Sequence, residues 1–423
     1  MGELLYNLVL RQKAEKDHIL SMSSVTRESF SVLLESLRRS LIKVVIGPRR
    51  SGKSTLAHQV LSARGEEYAY FNFEDEQLPN GVAFDAIETA LTQVYPKSTL
   101  YFLDEIQVFP RWEQLLNRLE RAGKRIVVSG SNSKLLSSEL SSSLTGRHEA
   151  FLVFPFSFGE YCQVHSQTSG GSGGFKEYLR YGGFPDVVMN RVHPQNYLRE
   201  LWDSIVLKDI VQRYKVRSVT ELKAMLTITR DSFASKISYR SLERALLNRL
   251  SIATVAKFCS YAEDAYLLFA LQNFSYKSRE RVSADKKVYL IDNGFYTSMK
   301  VGGQEDLGKL LENFVFISLY RSGLKPNLDF FYYKTGQKRE IDFLILGFGK
   351  PRSLIQVCWS LSSEATRQRE FKSIVDAAED LGVSNAMVIT AQEKKVFSHQ
   401  GIKVRAVPVV EFIADVGAYC GDL

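Results

Sequence analysis

The sequence has few of the residues that build disulfide scaffolds or membrane spans. Only four cysteines occur among 423 residues, and no two of them form a CxxC pair (Cys162, Cys259, Cys358, Cys420). Their scarcity argues against a disulfide scaffold or a cysteine-built zinc site and favours a reducing, cytoplasmic location. No run of 18 apolar residues exists, so we expect no membrane-spanning helix. The amino terminus lacks the small-residue cleavage site of a secretory signal.

The composition is that of a globular protein with a modest excess of basic residues. Hydrophobic residues make up 45% and charged residues 24%, which excludes wholesale disorder. Lys and Arg number 55 against 47 Asp and Glu, so the net charge is +8. This charge permits a nucleic-acid partner without demonstrating one. At about 100–200 residues per domain, the length predicts two to four domains.

The first third of the chain alternates short apolar segments with amphipathic ones. The apolar segments, each a predicted strand, are Leu41–Ile46, Tyr68–Phe73, Leu100–Leu103 and Ile126–Ser129. Such strands, separated by helices, are typical of a parallel sheet covered on both faces. A Ser/Gly cluster at Ser169–Gly174 then predicts a flexible linker or, alternatively, a surface insertion within one domain.

The remaining sequence is mostly helical from about 176 to 270 and mixed afterwards. Two predicted strands, Tyr266–Phe274 and Lys287–Ile291, flank a basic connection at Lys277–Lys287. The last third predicts helices at Leu307–Ser322 and Glu364–Leu381 and strands at Phe330–Lys334, Ile341–Leu346, Ser353–Cys358, Ala386–Thr390 and Lys403–Pro408. A strand hairpin followed by strand, helix and strand indicates a small α/β domain with its own core.

The strongest motif is a complete GxxxxGK[ST] sequence, which runs from Gly47 to Ser54. It follows the first predicted strand and precedes a helix that starts near Lys53, the context in which this loop cradles a polyphosphate. Backbone N–H groups of the loop and the N-terminus of the helix supply partial positive charge that attracts the phosphates. We expect Lys53 to bind the β- and γ-phosphates and Ser54 to bind Mg²⁺.

Two acids end the third predicted strand, about fifty residues after the loop. The carboxyl edge of a buried parallel strand faces the ligand crevice, so Asp104 is predicted to hold Mg²⁺ through water. Glu105 is predicted to orient and deprotonate an attacking water. The chain carries no NKxD-like motif of GTP-binding proteins, which favours ATP as the nucleotide.

Two further candidates rest on weaker patterns. The fourth predicted strand ends in small polar residues, which can place Ser131 or Asn132 between the acids and the γ-phosphate. An ordinary turn after a strand fits these residues nearly as well. Arg147 is a candidate catalytic arginine, acting in cis or on a neighbouring subunit of a homo-oligomer, although isolated arginines are usually solvated. The predicted nucleotide-binding residues are Gly47, Pro48, Arg49, Arg50, Ser51, Gly52, Lys53, Ser54, Thr55 and Asn132.

A series of motifs runs along nearly the whole chain: GPRRSGKST, LDEIQ, SGSNSKLLSSELSSSLTGR, VFPFSFGEY, YLRYGGFPDVV, LKDIVQRYKVR, YLIDNGFY, LGKLLENFVFISLYR and EIDFLI. In these motifs the chain resembles the archaeal-type AAA+ P-loop ATPases whose C-terminal half carries a nuclease-like domain. It implies a multidomain α/β protein. The expected parts are an AAA+ ATPase core with a parallel sheet (1–165), a helical segment (176–217), a winged-helix module (218–292) and a restriction-endonuclease-like domain (300–423).

The implied winged-helix module is a candidate for DNA contact. Its third helix, near Ile252–Tyr266, offers Lys257 as the only basic group and carries Glu263 and Asp264, which disfavours base reading. The basic connection offers phosphate contacts instead. These candidate DNA contacts are Lys277, Arg279, Arg281, Lys286 and Lys287. A module used for packing or protein contact fits equally well.

The implied nuclease-like domain lacks part of the expected metal site. Such sites need carboxylates that converge on Mg²⁺ beside a lysine. Glu312 and Asp342 match the first two positions, but Gln356 stands where Glu is expected and Cys358 where Lys is expected. We therefore predict a retained fold with little or no DNA cleavage.

The expected function is ATP binding and hydrolysis with Mg²⁺, in which the nucleotide state moves the winged-helix and nuclease-like modules. One alternative is a DNA-associated module with ATP as a ligand only. Another is an ATP-gated switch for a protein partner. No membrane partner is expected.

Overall fold

The structure, a computed structural model, describes residues 2–22, 25–133, 146–165, 172–399 and 402–420. The helices in this part are α1 (Gly2–Met22), α2 (Phe30–Ser36), α3 (Lys53–Ala63), α4 (Phe84–Val94), α5 (Trp112–Arg121), α6 (Phe158–His165), α7 (Ser172–Tyr181), α8 (Pro185–Val188), α9 (Pro194–Ser204), α10 (Val219–Asp231), α11 (Tyr239–Ala245), α12 (Ile252–Asp264), α13 (Ser278–Ser283), α14 (Gly294–Thr297), α15 (Leu307–Arg321), α16 (Glu364–Leu381), α17 (Val409–Ala414) and α18 (Val416–Cys420). A 3₁₀ turn at Ile106–Val108 and a π-helix at Ile205–Gln212 add to them.

The strands form sheets of five, three and six strands. Their bounds are β1 (Ile42–Ile46), β2 (Tyr68–Asn72), β3 (Leu100–Asp104), β4 (Arg125–Gly130), β5 (His148–Leu152), β6 (Ser235–Ile237), β7 (Leu268–Gln272), β8 (Lys286–Leu290), β9 (Phe330–Lys334), β10 (Glu340–Gly347), β11 (Lys350–Val357), β12 (Asn385–Thr390), β13 (Lys395–His399) and β14 (Ile402–Pro408).

The first sheet is parallel, with the strand order β2-β3-β4-β1-β5. Helices cover both faces, so neighbouring strand residues belong to different cores. Val44 packs in the cluster that contains Leu8 and Leu116, whereas Val45 packs in the cluster that contains Leu33 and Leu56. This double burial explains the near-continuous apolar strands, which were predicted within about one residue. The half-exposed edge strand β5 was missed because its sequence, HEAFL, lacks an apolar run.

The second sheet is antiparallel, in the order β6-β8-β7. Helix α12 packs against β7, and α10 and α11 pack against α12. In two places the structure differs from what the sequence predicts. The basic connection is not a plain loop, because it contains the short helix α13, and strand β8 already begins at Lys286. The last three residues of the predicted linker belong to α7, which begins at Ser172, and its first three, 169–171, lie outside the described part.

The third sheet has the order β13-β14-β12-β11-β10-β9. Strands β9, β10 and β11 are antiparallel neighbours, and β11, β12 and β14 run parallel. Helices α15 and α16 pack against it. The predicted strands of this region are present. Strand β13 and the last two helices were not predicted, because short, half-polar elements give a weak period-2 or 3.6-residue signal.

Two glycines allow close packing where the segment after α7 meets Asp292, which follows β8, and Phe156, which follows β5. The buried Asp292 accepts hydrogen bonds from the backbone N–H of Gly183 (2.7 Å) and of Gly294 (2.8 Å). A Cβ atom on Gly182 would lie 1.6 Å from Asp292 Oδ1, and one on Gly183 would lie 2.1 Å from the carbonyl oxygen of Phe156. Only glycine permits this approach.

Candidate functional site

The loop between β1 and α3 curls through three residues with positive φ. These are Gly47 (148°), Arg50 (65°) and Gly52 (90°). A Cβ atom on Gly47 would lie 2.2 Å from the carbonyl oxygen of Val153, so glycine is required at the start of the loop. The helix begins at Lys53, and the loop therefore ends at a helix N-terminus, where partial positive charge favours anions.

Asp104, at the carboxyl end of β3, is buried beneath this loop. Its Oδ1 accepts a hydrogen bond from Ser54 Oγ at 3.0 Å and one from Ser129 Oγ. The Tyr70 hydroxyl donates to Oδ2 at 3.4 Å. Burial raises the pKa of Asp104 to about 6, and the neighbouring Glu105 adds to the rise. Two predicted metal ligands, Ser54 and Asp104, are thus in direct contact.

Glu105 follows in a left-handed conformation, with φ 51°. Its Oε1 lies 3.7 Å from Lys53 Nζ, and its Oε2 accepts a hydrogen bond from Gln107 Nε2 at 2.5 Å. Burial would raise the pKa of Glu105, but the positive charge of Lys53 and the Gln107 hydrogen bond outweigh it, so the pKa lies below its ordinary value. Lys53 Nζ also donates to the carbonyl oxygen of Pro48 at 3.0 Å. The carboxylate is ionised at neutral pH, as a proton acceptor requires.

The structure reveals a support for the loop that the sequence did not suggest. Arg27 is buried and donates to the carbonyl oxygen of Ser51 at 2.8 Å and to Glu160 at 2.9 Å. A cavity of about 250 Å³ adjoins this region, and its wall includes Arg27, Arg50, Thr55 and Gln59. The predicted residues Arg50 and Thr55 therefore face space beside the loop.

Arg49 points from the loop to two carboxylates on different parts of the chain. It makes a two-bond contact with Glu74 (2.8 Å for each bond) and a second with Asp209 (3.1 Å for each bond). Asp209 lies in the π-helix, 160 residues away in sequence, and also accepts a hydrogen bond from Ser131 Oγ at 2.9 Å. Neither carboxylate was predicted, because contacts over such separations leave no local pattern.

The segment after β4 contacts residues beyond position 200 and not the two acids, Asp104 and Glu105. Ser133 Oγ donates to Asp264 at 2.8 Å, and the Tyr214 hydroxyl donates to the same carboxylate at 2.8 Å. Asn132 is hydrogen-bonded to Tyr214. The fourth-strand residue that touches the acids is Ser129, whose Oγ contacts Asp104 and accepts from the backbone N–H of Glu105 at 3.1 Å.

Arg147 lies at the wrong end of the sheet for a contact in cis. Its carbonyl oxygen accepts from the backbone N–H of Ile42 at the amino end of β1, whereas the loop leaves the carboxyl end. Five strand residues separate the ends, a distance of about 17 Å. The exposed guanidinium lies 3.3 Å from Glu120. The cis alternative is therefore wrong, and action on a neighbouring subunit stays a prediction.

The second and third sheets meet at a buried ammonium group and its three carboxylate partners. We call this group the lysine cluster; it consists of Lys287, Glu312, Glu340 and Asp342. Lys287 Nζ lies 2.7 Å from Glu312, 2.7 Å from Glu340 and 2.9 Å from Asp342, and Tyr289 donates to Glu312 at 2.8 Å. Burial would lower the pKa of Lys287, but Asp342 and Glu312 raise it well above its usual value. Burial and Asp342 raise the pKa of Glu312 to about 7. Lys287 is thus no surface contact, which corrects its assignment to DNA.

The residues beside the lysine cluster are also satisfied internally. The side-chain carbonyl of Gln356 accepts from the backbone N–H of Asp342 at 3.2 Å, and its amide donates to Glu370 at 2.8 Å. The buried Cys358 thiol donates to the carbonyl oxygen of Ser360 at 3.0 Å. Gln356 therefore offers no free carbonyl to a metal ion. Within the described ranges, no three His, Cys, Asp or Glu side chains form a group that could hold a metal.

The other predicted DNA contacts differ in exposure. Lys277 and Arg279 are exposed, and Lys277 lies 3.0 Å from Glu280. Arg281 donates to the carbonyl oxygen of Ser275 at 2.6 Å, and Lys286 donates to the Tyr239 hydroxyl at 2.8 Å. The basic surface is therefore smaller than the sequence indicates. In the part of the chain that the structure describes, no helix combines the length and hydrophobicity needed to cross a bilayer.

Family models match three consecutive parts of the chain. An AAA domain matches residues 39–162, a domain of unknown function (DUF8612) matches 172–306, and another (DUF4143) matches 307–412. The first match contains the loop, both acids and Ser129. The second contains Asp209 and Lys287, and the third contains the carboxylates of the lysine cluster.

Relatives cover most of the chain. An uncharacterized protein of Methanocaldococcus jannaschii, MJ1544, is 33% identical over 81% of this chain and 80% of its own length. An uncharacterized protein of Haemophilus influenzae is 30% identical over 77% of this chain and 84% of its own length. A solved structure, the Walker-type ATPase PABY2304 of Pyrococcus abyssi, is 14% identical, covers 67% of this chain and 100% of its own, and has a TM-score of 0.42.

Proposed function

Because the chain belongs to the AAA-domain P-loop ATPase family, together with its M. jannaschii and H. influenzae relatives, we propose that it binds ATP with Mg²⁺ and hydrolyses it. The observation that carries this proposal is the contact of the loop with the two acids. Ser54 Oγ lies 3.0 Å from Asp104 Oδ1, and Lys53 Nζ lies 3.7 Å from Glu105 Oε1. One cation, one hydroxyl and two carboxylates thus meet at a helix N-terminus.

The residues present fit a magnesium ion. Mg²⁺ in such sites takes one or two protein oxygens and the oxygens of the substrate phosphates. Ser54 and Asp104 offer two adjacent oxygens, and the hydrogen bond that now joins them is replaceable by the ion. When bound, Mg²⁺ neutralises negative charge on the phosphates.

The remaining residues of the site supply binding and proton transfer. The loop backbone and Lys53 hold the phosphates, while Glu105 accepts a proton from the attacking water. The water oxygen bonds to the γ-phosphorus as the bond from that phosphorus to the β–γ bridging oxygen breaks, and ADP and phosphate leave. The backbone N–H of Glu105 donates a hydrogen bond to Ser129 Oγ. This bond helps to hold Glu105 in its left-handed conformation and so positions its carboxylate.

Glu105→Gln separates binding from hydrolysis. The amide keeps the size of the side chain but cannot accept the proton, so ATP binding is retained and turnover falls by about 10²- to 10⁴-fold. Phosphate release and ATP binding by calorimetry measure the two quantities. Glu35→Gln, the same change at an exposed glutamate of α2, serves as a matched control. Wild-type turnover in Glu105→Gln would contradict the role of Glu105.

We further propose that residues 218–292 form a winged-helix module and residues 300–423 a nuclease-like domain, and that the nucleotide state moves both. Two hydrogen bonds support such movement, because they join the end of β4 to other elements. Ser131 contacts Asp209 in the π-helix, and Ser133 contacts Asp264 at the end of α12. The nuclease-like domain is inactive on this proposal because Lys287 occupies its carboxylates.

Contact with DNA is a second candidate, in a reduced form. The exposed Lys277 and Arg279 support phosphate contact without sequence reading. The acids Glu263 and Asp264 on α12 disfavour a base-reading role for that helix. Stimulation of ATP hydrolysis by duplex DNA, lost in a Lys277→Ala, Arg279→Ala double variant, would support this candidate. A protein partner captured only in the ATP state would instead favour the interaction switch.

A further inference from the structure

The hairpin between β10 and β11 carries an aromatic side chain at its tip, which has no part in the proposed hydrolysis of ATP. Gly347 is paired with Lys350 in the ladder of the two strands, so the connection consists of only two residues, Phe348 and Gly349. Both have positive φ, 49° and 76°. This is the backbone of a type I′ turn, which favours Asn, Asp or Gly at its first central position.

Phe348 is an unfavourable residue at this position, and its packing does not offset the cost. A bulky residue rarely adopts the left-handed conformation, because its Cβ atom comes too close to a backbone carbonyl oxygen. Phe348 is 94% exposed, so the ring contributes little to the packing of the third sheet. Backbone strain of this kind is concentrated where a protein contacts its ligands. The exposed ring therefore indicates contact with another molecule.

A second turn lies beside the hairpin tip. The backbone N–H of Leu346 donates to the carbonyl oxygen of Asp329 at 2.8 Å, which places the turn at residues 325–329 against the end of β10. Leu328 in this turn is 60% exposed, and Lys325 is exposed as well. The acid of the turn, Asp329, is half-buried and accepts a hydrogen bond from the backbone N–H of Lys325 at 2.7 Å. The turn therefore adds an apolar side chain and a cation to the surface around the tip.

The start of β11 supplies two further cations, Lys350 and Arg352, which are both exposed. A Cβ atom on Gly347 would lie 2.8 Å from Arg352 Cδ and 3.3 Å from Arg352 Nη1, so the arginine side chain lies across the base of the turn. The resulting surface has three positive charges and no negative one. We call it the tip surface; it consists of Lys325, Leu328, Phe348, Lys350 and Arg352.

One flat ring surrounded by cations fits a polyanion whose units have exposed π faces. Single-stranded nucleic acid has this chemistry, because a single aromatic side chain is enough to stack on one base while cations contact the phosphates. A duplex does not fit as well, since its bases are stacked on one another. A bilayer does not fit either, because anchoring in lipid needs a larger apolar area than Leu328 and Phe348 provide.

We propose that the tip surface binds single-stranded nucleic acid, with Phe348 stacked on a base and Lys325, Lys350 and Arg352 in contact with phosphates. Binding is tolerant of sequence, since every base has a π face, and it weakens as the salt concentration rises. Neither stacking nor charge distinguishes the sugars, so DNA and RNA are both ligands. The inference rests neither on the hydrolysis of ATP nor on the candidate duplex contacts at Lys277 and Arg279.

The test measures binding of fluorescein-labelled oligothymidylate and oligouridylate to the full chain by fluorescence anisotropy at low salt, without ATP. Phe348→Asn removes the ring but suits the turn, so we expect an unchanged or higher Tm together with an affinity about 5- to 150-fold lower. Phe348→Trp keeps a stacking ring and retains the affinity. Val301→Asn is the control, because Val301 is 98% exposed and lies in a different loop.

Three outcomes overturn the inference. The first is a wild type that binds neither oligonucleotide, also if it binds phosphatidylserine vesicles instead, which would identify a bilayer contact. The second is equal affinity in Phe348→Asn and Val301→Asn. The third is a duplex of the same length that binds as tightly and loses as much affinity in Phe348→Asn. Binding of only one of the two oligonucleotides, lost with the ring, supports the inference and identifies the polymer. Absence of ATP hydrolysis would contradict the proposed function but not this inference.

Discussion

The nucleotide site and the lysine cluster both combine a lysine with carboxylates, but the lysine is paired much more closely in the second. In the nucleotide site, Lys53 lies 3.7 Å from Glu105, and the loop presents N–H groups of a helix N-terminus. In the lysine cluster, Lys287 lies within 2.9 Å of three carboxylates. The first site keeps donors and acceptors for a ligand, whereas in the second a lysine of the protein itself is paired with the carboxylates.

The difference shows that carboxylates in a cluster do not by themselves indicate a metal site. What distinguishes the two is the supply of positive charge. Lys287 pairs with the carboxylates of the lysine cluster from inside the protein, so the cluster serves to join the second and third sheets. At the loop, Lys53 lies 3.7 Å from the Glu105 carboxylate, and this looser pairing fits the proposed binding of a phosphate and a cation there.

Removal of Lys53 has the largest expected effect. Lys53→Ala takes away the cation that pairs with the phosphates, and we expect ATP turnover to fall below detection, by about 10³-fold or more. Phosphate release with Mg²⁺ and ATP measures this. Lys124→Ala, at a distance from the loop, is the control. Unchanged turnover in Lys53→Ala would show that the site is not a phosphate cradle.

Removal of Lys287 acts on stability instead. Lys287→Met leaves the buried Glu312 and Asp342 without their cation, whereas the partly exposed Glu340 keeps Lys236 at 2.6 Å. We expect the loss to cost about 3–5 kcal/mol of the free energy of unfolding. Lys286→Met is the matched control, because the neighbouring ammonium is only half-buried and bonds to the Tyr239 hydroxyl. Urea unfolding at pH 7.5 gives both values. Equal losses would mean that the lysine cluster is not a structural clamp.

The deficit of Lys287→Met depends on pH in a defined direction. Burial already raises the pKa of Glu312 to about 7 in the wild type, and loss of the ammonium raises it further. A carboxyl group whose pKa is raised by folding contributes stability at low pH and loses it as pH rises through the folded-state pKa. The deficit is therefore smaller at pH 5 than at pH 8. Unfolding at both pH values tests this sign.

The smallest expected effect is on DNA cleavage. Since Lys287 is paired with Glu312, Glu340 and Asp342, and no metal-holding group of side chains occurs among the described residues, we expect the same result for wild type and Asp342→Asn: no Mg²⁺-dependent nicking of plasmid DNA. A gel assay with supercoiled plasmid measures this. Cleavage by the wild type that disappears in Asp342→Asn would reverse the comparison and make the lysine cluster an active site.

Much of the first sheet and its site was accessible from sequence because the signals are local. Strands β1 to β4 are buried on both faces and read as apolar runs, and the loop and acids follow two of them directly. Arg49 and Asp209 come together only after folding. Their association depends on contacts across 160 residues, which no local periodicity records.

The assignment of Lys287 to a DNA-binding surface failed because the sequence does not distinguish the two lysines of its strand. Side chains alternate along a strand, so Lys287 shares a face with Tyr289, and Lys286 shares the other face with Val288 and Leu290. Both faces continue in buried apolar residues, so alternation alone does not show which ammonium is buried. The carboxylates that pair with Lys287 lie 25 to 55 residues further along the chain and leave no local pattern.

The glycine junction around Asp292 limits which residues its positions can hold. An apolar interface weakens gradually, at about 1 kcal/mol for each methylene lost. A side chain at Gly182 would meet the Asp292 carboxylate, and one at Gly183 would meet the backbone of Phe156, so either must push the segments apart. The cost of a substitution at this junction therefore arises with the first added carbon atom instead of growing in proportion to side-chain size.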